Sequence, residues 1–124
     1  MTTISANLQA VITRIEDAAR QFGRNPDGIS LLAVSKTWPA SDVREAALTG
    51  QKSFGENYVQ EGIDKARSLE SLGLEWHFIG PLQSNKTRPV AETFDWVHAV
   101  DRLKIAGRLS EQRPENLPAL QVCI

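Results

Sequence analysis

Residues 31–40 read LLAVSKTWPA. An apolar run leads straight into Lys36, and Pro39 then closes off any further extended chain. With Ile29 included, the run covers 29–34 and is the first of five. The others are 52–56 (KSFGE), 74–79 (LEWHFI), 96–100 (WVHAV) and 119–124 (ALQVCI). Their starts lie about 22 residues apart, which marks a repeated unit. Helix-period stretches separate them, and strictly alternating strands and helices build a parallel sheet from right-handed βα units. The units are regular and no Gly-x-Gly-x-x-Gly follows the first strand, which favours a barrel over a doubly wound open sheet. A closed barrel takes eight units and about 250 residues. The 124 residues hold four units and the start of a fifth. The expected fold class is therefore α/β: the N-terminal half of a (β/α)8 TIM barrel, one partial domain over 1–124.

The helices are read from their apolar stripes and stop signals. Ile4, Leu8, Val11, Ile12, Ile15, Ala18, Ala19 and Phe22 predict an amphipathic opening helix stopped at Gly23, with a turn at Asn25-Pro26-Asp27-Gly28. A short helix starts at Pro39 or Ser41, carries Val43, Ala46 and Ala47, and ends at Gly50. Asn57 is expected as an N-cap, with Gln60 at the capping-box position, for a helix striped by Val59, Ile63, Ala66, Leu69 and Leu72. Pro89 should split the next helical region into two short pieces. Asp101 should cap a last helix carrying Leu103, Ala106 and Leu109 and stopping before Pro114.

Composition narrows the function classes. A hydrophobic content of 41% and a charged content of 23% are those of an ordinary globular domain. A net charge of −1 argues against nucleic-acid partners. No apolar run approaches the roughly 20 residues of a membrane span, and the charged first segment does not read as a signal peptide. With Cys123 as the one cysteine, no internal disulfide and no cysteine-held zinc are expected. These readings together predict a cytoplasmic location.

Ligands of parallel α/β folds gather at the C-terminal ends of the strands. Here those ends carry Lys36 and Thr37, Glu56 and Asn57, His77 to Gly80, and Ala99 to Asp101. Two readings of Lys36 stay open from the residues alone. It is either a solvated strand-end charge or an amine among apolar neighbours, ready to attack a carbonyl. Asn57 is compatible with both a cap and a ligand-facing position. His77 alternates with Trp76 and Phe78, so it faces either the barrel interior or the helices. His77 and His98 lack the spacing of a metal site. Lys86, Arg88, Arg102 and Lys104 read as solvated helix charges.

LLAVSKT at 31–37, FGENYVQE at 54–61 and EWHFIGPLQSNK at 75–86, in this order and spacing, resemble the YggS/PROSC family of pyridoxal phosphate-binding proteins. The resemblance covers the whole chain. It implies a barrel of the alanine-racemase N-terminal type, with pyridoxal 5'-phosphate held as a Schiff base on Lys36. Asn57 and His77 are the further cofactor-layer residues. The family is associated with vitamin B6 homeostasis and is not credited with a firm catalytic activity of its own, so no catalytic residue is expected. Alternatives are a racemase-like enzyme, a Schiff-base aldolase using Lys36, or a fragment unable to retain cofactor. Family members are about twice this length, and the phosphate-holding loops are implied to lie in the other half. A fragment is therefore expected. The full-length protein would be a monomer, and the fragment would self-associate through its two open sheet edges.

Overall fold

Apolar residues at alternate strand positions need a layer to cover them, and the helices between the strands supply it. The computed structural model describes residues 3–124. α1 (Thr3–Gln21) precedes the repeat β1 (Ala33–Val34), α2 (Ala40–Leu48), β2 (Ser53–Glu56), α3 (Val59–Ser68), β3 (Glu75–Phe78), α4 (Thr87–Thr93), β4 (Trp96–Val97), α5 (Leu103–Gln112) and β5 (Gln121–Val122). All neighbouring strands pair in parallel, in the order β1-β2-β3-β4-β5. Each strand lies beside its sequence neighbour and the order never reverses. This is the winding of a barrel and not of a doubly wound sheet. The architecture is the expected half-barrel.

Register fixes the two faces. Phe54 pairs with Trp76, and Phe78 with Val97. This face packs on the helices through Val43, Ile63, Val90, Phe94, Ile105 and Leu109. The alternate row runs Val34, Gly55, His77, Trp96 and Gln121 and lies on the face turned away from the helices.

Several elements differ from the sequence expectation. The first strand shrinks from 29–34 to 33–34 because it is an edge strand with a single neighbour. Gln51 Nε2 takes the Leu31 carbonyl at 2.7 Å, where a strand amide would otherwise bind. The runs 96–100 and 119–124 reduce to two-residue strands, continued by single bonds such as Val100 N–H to the Cys123 carbonyl at 3.1 Å. Pro89 does not divide α4. It falls in the first turn, where a helical N–H has no intrahelical acceptor, so nothing is lost. Arg102, not Asp101, occupies the cap position of α5 and makes no side-chain cap bond. Asp101 instead pairs with Arg102 at 3.6 Å.

The stripe of α1 is only partly covered: the helix packs mainly on α2, and Ile4 and Leu8 reach the core beside Ala33 and Phe54. Ala19 is buried, Ala18 and Val11 are exposed, and Phe22, beyond the helix end, is 75% exposed. Leu103 is likewise exposed.

Candidate functional site at the ends of the first two strands

The strand ladder continues one residue past β1, with Ser35 N–H donating to the Gly55 carbonyl at 2.9 Å. Pleating ends there. Trp38 N–H donates back to the Ser35 carbonyl at 3.1 Å and closes a turn with Lys36 and Thr37 at its centre. Thr37 has φ 69° and is the one non-glycine residue with positive φ among the described residues. For a β-branched side chain the left-handed region costs on the order of 1–2 kcal/mol. Such a conformation persists only where its surroundings hold it. Lys36 is exposed on this turn, and its Nζ has no hydrogen bond or ion pair among the described residues.

The holding groups come from α3 and the end of β2. Glu56 pairs in register with Phe78, which aims its carboxylate towards the helix layer, where it is 0% exposed. Its Oε2 accepts from Ser35 Oγ and from Lys65 Nζ, the latter at 3.0 Å. Lys65 is itself buried, and its ammonium also donates to the Ser35 carbonyl at 2.7 Å and to Glu61 Oε1 at 3.3 Å. Glu61 Oε1 in turn accepts from the Thr37 N–H at 2.7 Å. Burial pushes the Glu56 carboxyl up, against the opposing hydrogen bonds from Ser35 and Lys65. The Thr37 N–H holds Glu61 below the usual carboxylate range, with the Lys65 charge adding to the effect.

Asn57 is not the expected cap. Tyr58 takes that position without a side-chain bond, and Gln60 Nε2 donates to Asp64 Oδ1 at 2.9 Å instead of completing a capping box. Asn57 Oδ1 is buried without a hydrogen-bond partner among the described residues. The loop after β3 presses on it: a Cβ added at Gly80 would lie 2.9 Å from the Asn57 carbonyl oxygen. Only glycine allows these two strand-end loops to touch.

His77 sits on the face turned away from the helices and stacks on Trp96, with ring centroids 5.3 Å apart and planes 5° apart. Its Nε2 lies 2.7 Å from Glu75 Oε1, and its Nδ1 lies 2.9 Å from His98 Nε2. A carboxylate oxygen accepts, so Nε2 carries the hydrogen. The contact between Nδ1 and His98 Nε2 is a hydrogen bond shared by the two rings, its donor set by their tautomers. Burial and the neighbouring His77 lower the His98 pKa. Both nitrogens of His77 are thus engaged. Lys86, Arg88, Arg102 and Lys104 are exposed.

The structure therefore brings Lys36 and the loop of Asn57 to the same end of adjacent strands, with His77 lower on the next strand. Sequence reasoning missed Lys65, Glu61 and the role of Glu56. The available signal was Glu56 itself. By alternation with Phe54 it falls on the core-facing side, and a buried carboxylate requires a partner.

Fold and site together define a class: the first half of a parallel barrel with an amine at the end of its first strand. No family model matches the chain. The chain is 60% identical over 124 residues to the pyridoxal phosphate homeostasis protein of Pseudomonas aeruginosa, which covers 100% of this chain and 54% of that protein. The protein of the same name from Escherichia coli K12 is 60% identical over 127 residues, with 54% of it covered. Among solved structures, PipY of Synechococcus elongatus with PLP bound matches with TM-score 0.68 and 46% identity, over 79% of this chain and 47% of that one. An unknown protein from Bifidobacterium adolescentis matches with TM-score 0.79 and 30% identity, over 88% of this chain and 49% of that one. The chain thus spans about half the length of the curated relatives it matches. These matches show the resemblance to the YggS/PROSC pyridoxal phosphate homeostasis proteins, over their N-terminal half. Among the described residues no helix is long and apolar enough to cross a membrane.

Proposed function

We propose that residues 1–124 form a partial pyridoxal 5'-phosphate-binding barrel domain acting in cytoplasmic vitamin B6 homeostasis. In this reading Lys36 is the amine that holds the cofactor aldehyde, and Asn57 and His77 belong to the cofactor layer. When bound, pyridoxal phosphate supplies an aldehyde that condenses with an uncharged amine. The observation that carries the reading is the contrast between two lysines. Lys65 donates to three acceptors and has no hydrogen to spare. Lys36 is exposed on a fixed turn at a strand end, with no partner on its Nζ among the described residues.

The residues present fit the aldehyde end of the cofactor. Asn57 Oδ1, a buried acceptor without a partner among the described residues, suits a hydroxyl donor such as the one on the pyridoxal ring. His77, with both nitrogens engaged, supports the layer through Trp96 and His98 and does not offer a free base. The titratable groups nearest the Lys36 turn, Glu56, Glu61 and Lys65, are committed to one another, which favours a carrier over a catalyst. Edge strands β1 and β5 expose Val34 and Val122, and self-association through them belongs to the same proposal.

The test is to add pyridoxal phosphate to the chain, reduce with borohydride and map the adduct by mass spectrometry. The label is expected on Lys36. An equal spread over Lys52, Lys86 and Lys104, or undiminished labelling of Lys36→Ala, would overturn the assignment.

A further inference from the structure

The turn that carries Lys36 is gripped on both sides by one cluster centred on the buried Glu56 and Lys65. On the N-terminal side the Ser35 carbonyl accepts from Lys65 Nζ at 2.7 Å, and Ser35 Oγ donates to Glu56 Oε2. On the C-terminal side the Thr37 N–H donates to Glu61 Oε1 at 2.7 Å. Lys65 joins the two grips, since its ammonium contacts Glu56 at 3.0 Å and Glu61 at 3.3 Å. Helix α3 does not need this arrangement for its own backbone, and the apolar core does not need a lysine that is 6% exposed. Charged side chains are seldom buried without such pairing. The strained φ of Thr37 is an independent sign that the backbone here is held in place by something outside the turn.

We propose that Glu61 and Lys65, with Glu56 beneath them, are positioning residues for Lys36. They fix the backbone on either side of it, so that its side chain leaves the sheet in one direction towards the aldehyde. This rests on the reading of Lys36 as the imine-forming amine and gives that reading a mechanical basis. It also explains the two glutamates of FGENYVQE, one at the end of β2 and one in the first turn of α3. Lys65, with all three hydrogens engaged, is held away from aldehydes and acts on the turn alone.

The experiment compares the whole chain with Glu61→Ala and Glu61→Gln, because Glu61 is partly exposed (30%) and its loss leaves no buried charge unpaired. Each protein is treated with pyridoxal phosphate and borohydride, and labelling of Lys36 is scored against Lys52, Lys86 and Lys104 in the same molecule. Exchange of the Thr37 amide is followed by NMR without cofactor. Glu61→Ala should lower the relative labelling of Lys36 about tenfold, the factor equivalent to one charge-assisted hydrogen bond, and should speed Thr37 exchange. Glu61→Gln keeps an acceptor oxygen and should recover most of both. General unfolding would instead expose Lys65 and even out the labels, which counts against positioning. Unchanged Lys36 preference in Glu61→Ala, with wild-type preference intact, overturns the grip and leaves the cofactor reading standing. No Lys36 preference in the wild type overturns both.

Discussion

Replacing Lys65 by methionine isolates the electrostatic part of the cluster. The methionine stem fills the same volume, so no large cavity forms and the cost is that of a lost charge. The Ser35 carbonyl keeps its bond from Trp38, and Glu61 is exposed enough to be rehydrated. The loss falls on Glu56, which is 0% exposed, has no partner on Oε1 among the described residues and would keep only Ser35 on Oε2. Removing one partner of a buried pair costs about 3–5 kcal/mol, a large share of the roughly 5–15 kcal/mol that holds a domain together. Burial already raises the Glu56 pKa, and loss of the lysine removes two of the opposing causes. A carboxyl whose folded pKa lies above its unfolded value loses stability as pH rises through that window and regains it as pH falls. Urea denaturation of Lys65→Met should therefore show the deficit at about pH 7 and a smaller one at about pH 5. Adding Glu56→Gln should restore much of the loss at pH 7. A deficit below about 1 kcal/mol, in the range of an exposed pair, or one independent of pH, would refute the picture of Glu56 as a buried charge held by Lys65.

Three further outcomes are expected. Gly62→Ala should destabilise by about 1–2 kcal/mol although alanine is the better helix former. Its Cβ would fall 2.5 Å from Cζ of the fully buried Phe94, and a raised urea midpoint would show that the helix can shift. Thr37→Gly should stabilise by about 0.5–1 kcal/mol, since glycine takes positive φ without strain and keeps the N–H that Glu61 accepts; a lowered midpoint would show that the threonine side chain contributes. His98, its pKa lowered by burial, stays neutral in the fold while the unfolded chain protonates first as pH drops. Stability should then fall as pH drops below about 6.5, the value of an unfolded histidine, and His98→Asn should flatten that fall. An unchanged slope in the variant would remove His98 as its source.

Much of the architecture was legible because period and punctuation agree. KSFGE and LEWHFI are short runs that each follow a helical segment ended by glycine, Gly50 and Gly73, and β2 and β3 match them within a residue at each end. The failures share one physical cause. Apolar sequence shows what can be buried, but not which neighbour arrives to bury or pair it. Residues 29–32 are as strand-like as 33–34, yet β1 has one partner strand and Gln51 occupies part of its edge. Phe22 and Val11 fit the stripe of α1, yet that helix packs mainly on α2, so part of the stripe is left in water. Pro89 and Asp101 were misread by local rules whose outcome depends on a helix start shifted by a residue or two.

The candidate site shows the same limit in a sharper form. Lys36 stands out in sequence because an apolar run ends on it, and strand alternation alone would carry it on along the row of Val34. The backbone leaves the pleat after Ser35, however, and the turn that follows contains a strained threonine. The direction of Lys36 is therefore set less by the sheet than by the groups that fix Ser35 and Thr37. Those groups lie 21–30 residues away in the chain. In sequence Glu61 and Lys65 look like an ordinary surface pair four residues apart. Only the burial of Glu56, at the last position of a strand whose neighbour Phe54 faces the core, draws that pair inward. A motif such as FGENYVQE therefore carries two kinds of information: Asn57 presents an acceptor unpaired among the described residues, while Glu56 and Glu61 bond the residues on either side of Lys36. Labelling of Lys36 against the other lysines tests the two separately, because Asn57→Ala should weaken retention of the cofactor without changing Thr37 amide exchange, whereas Glu61→Ala should change both.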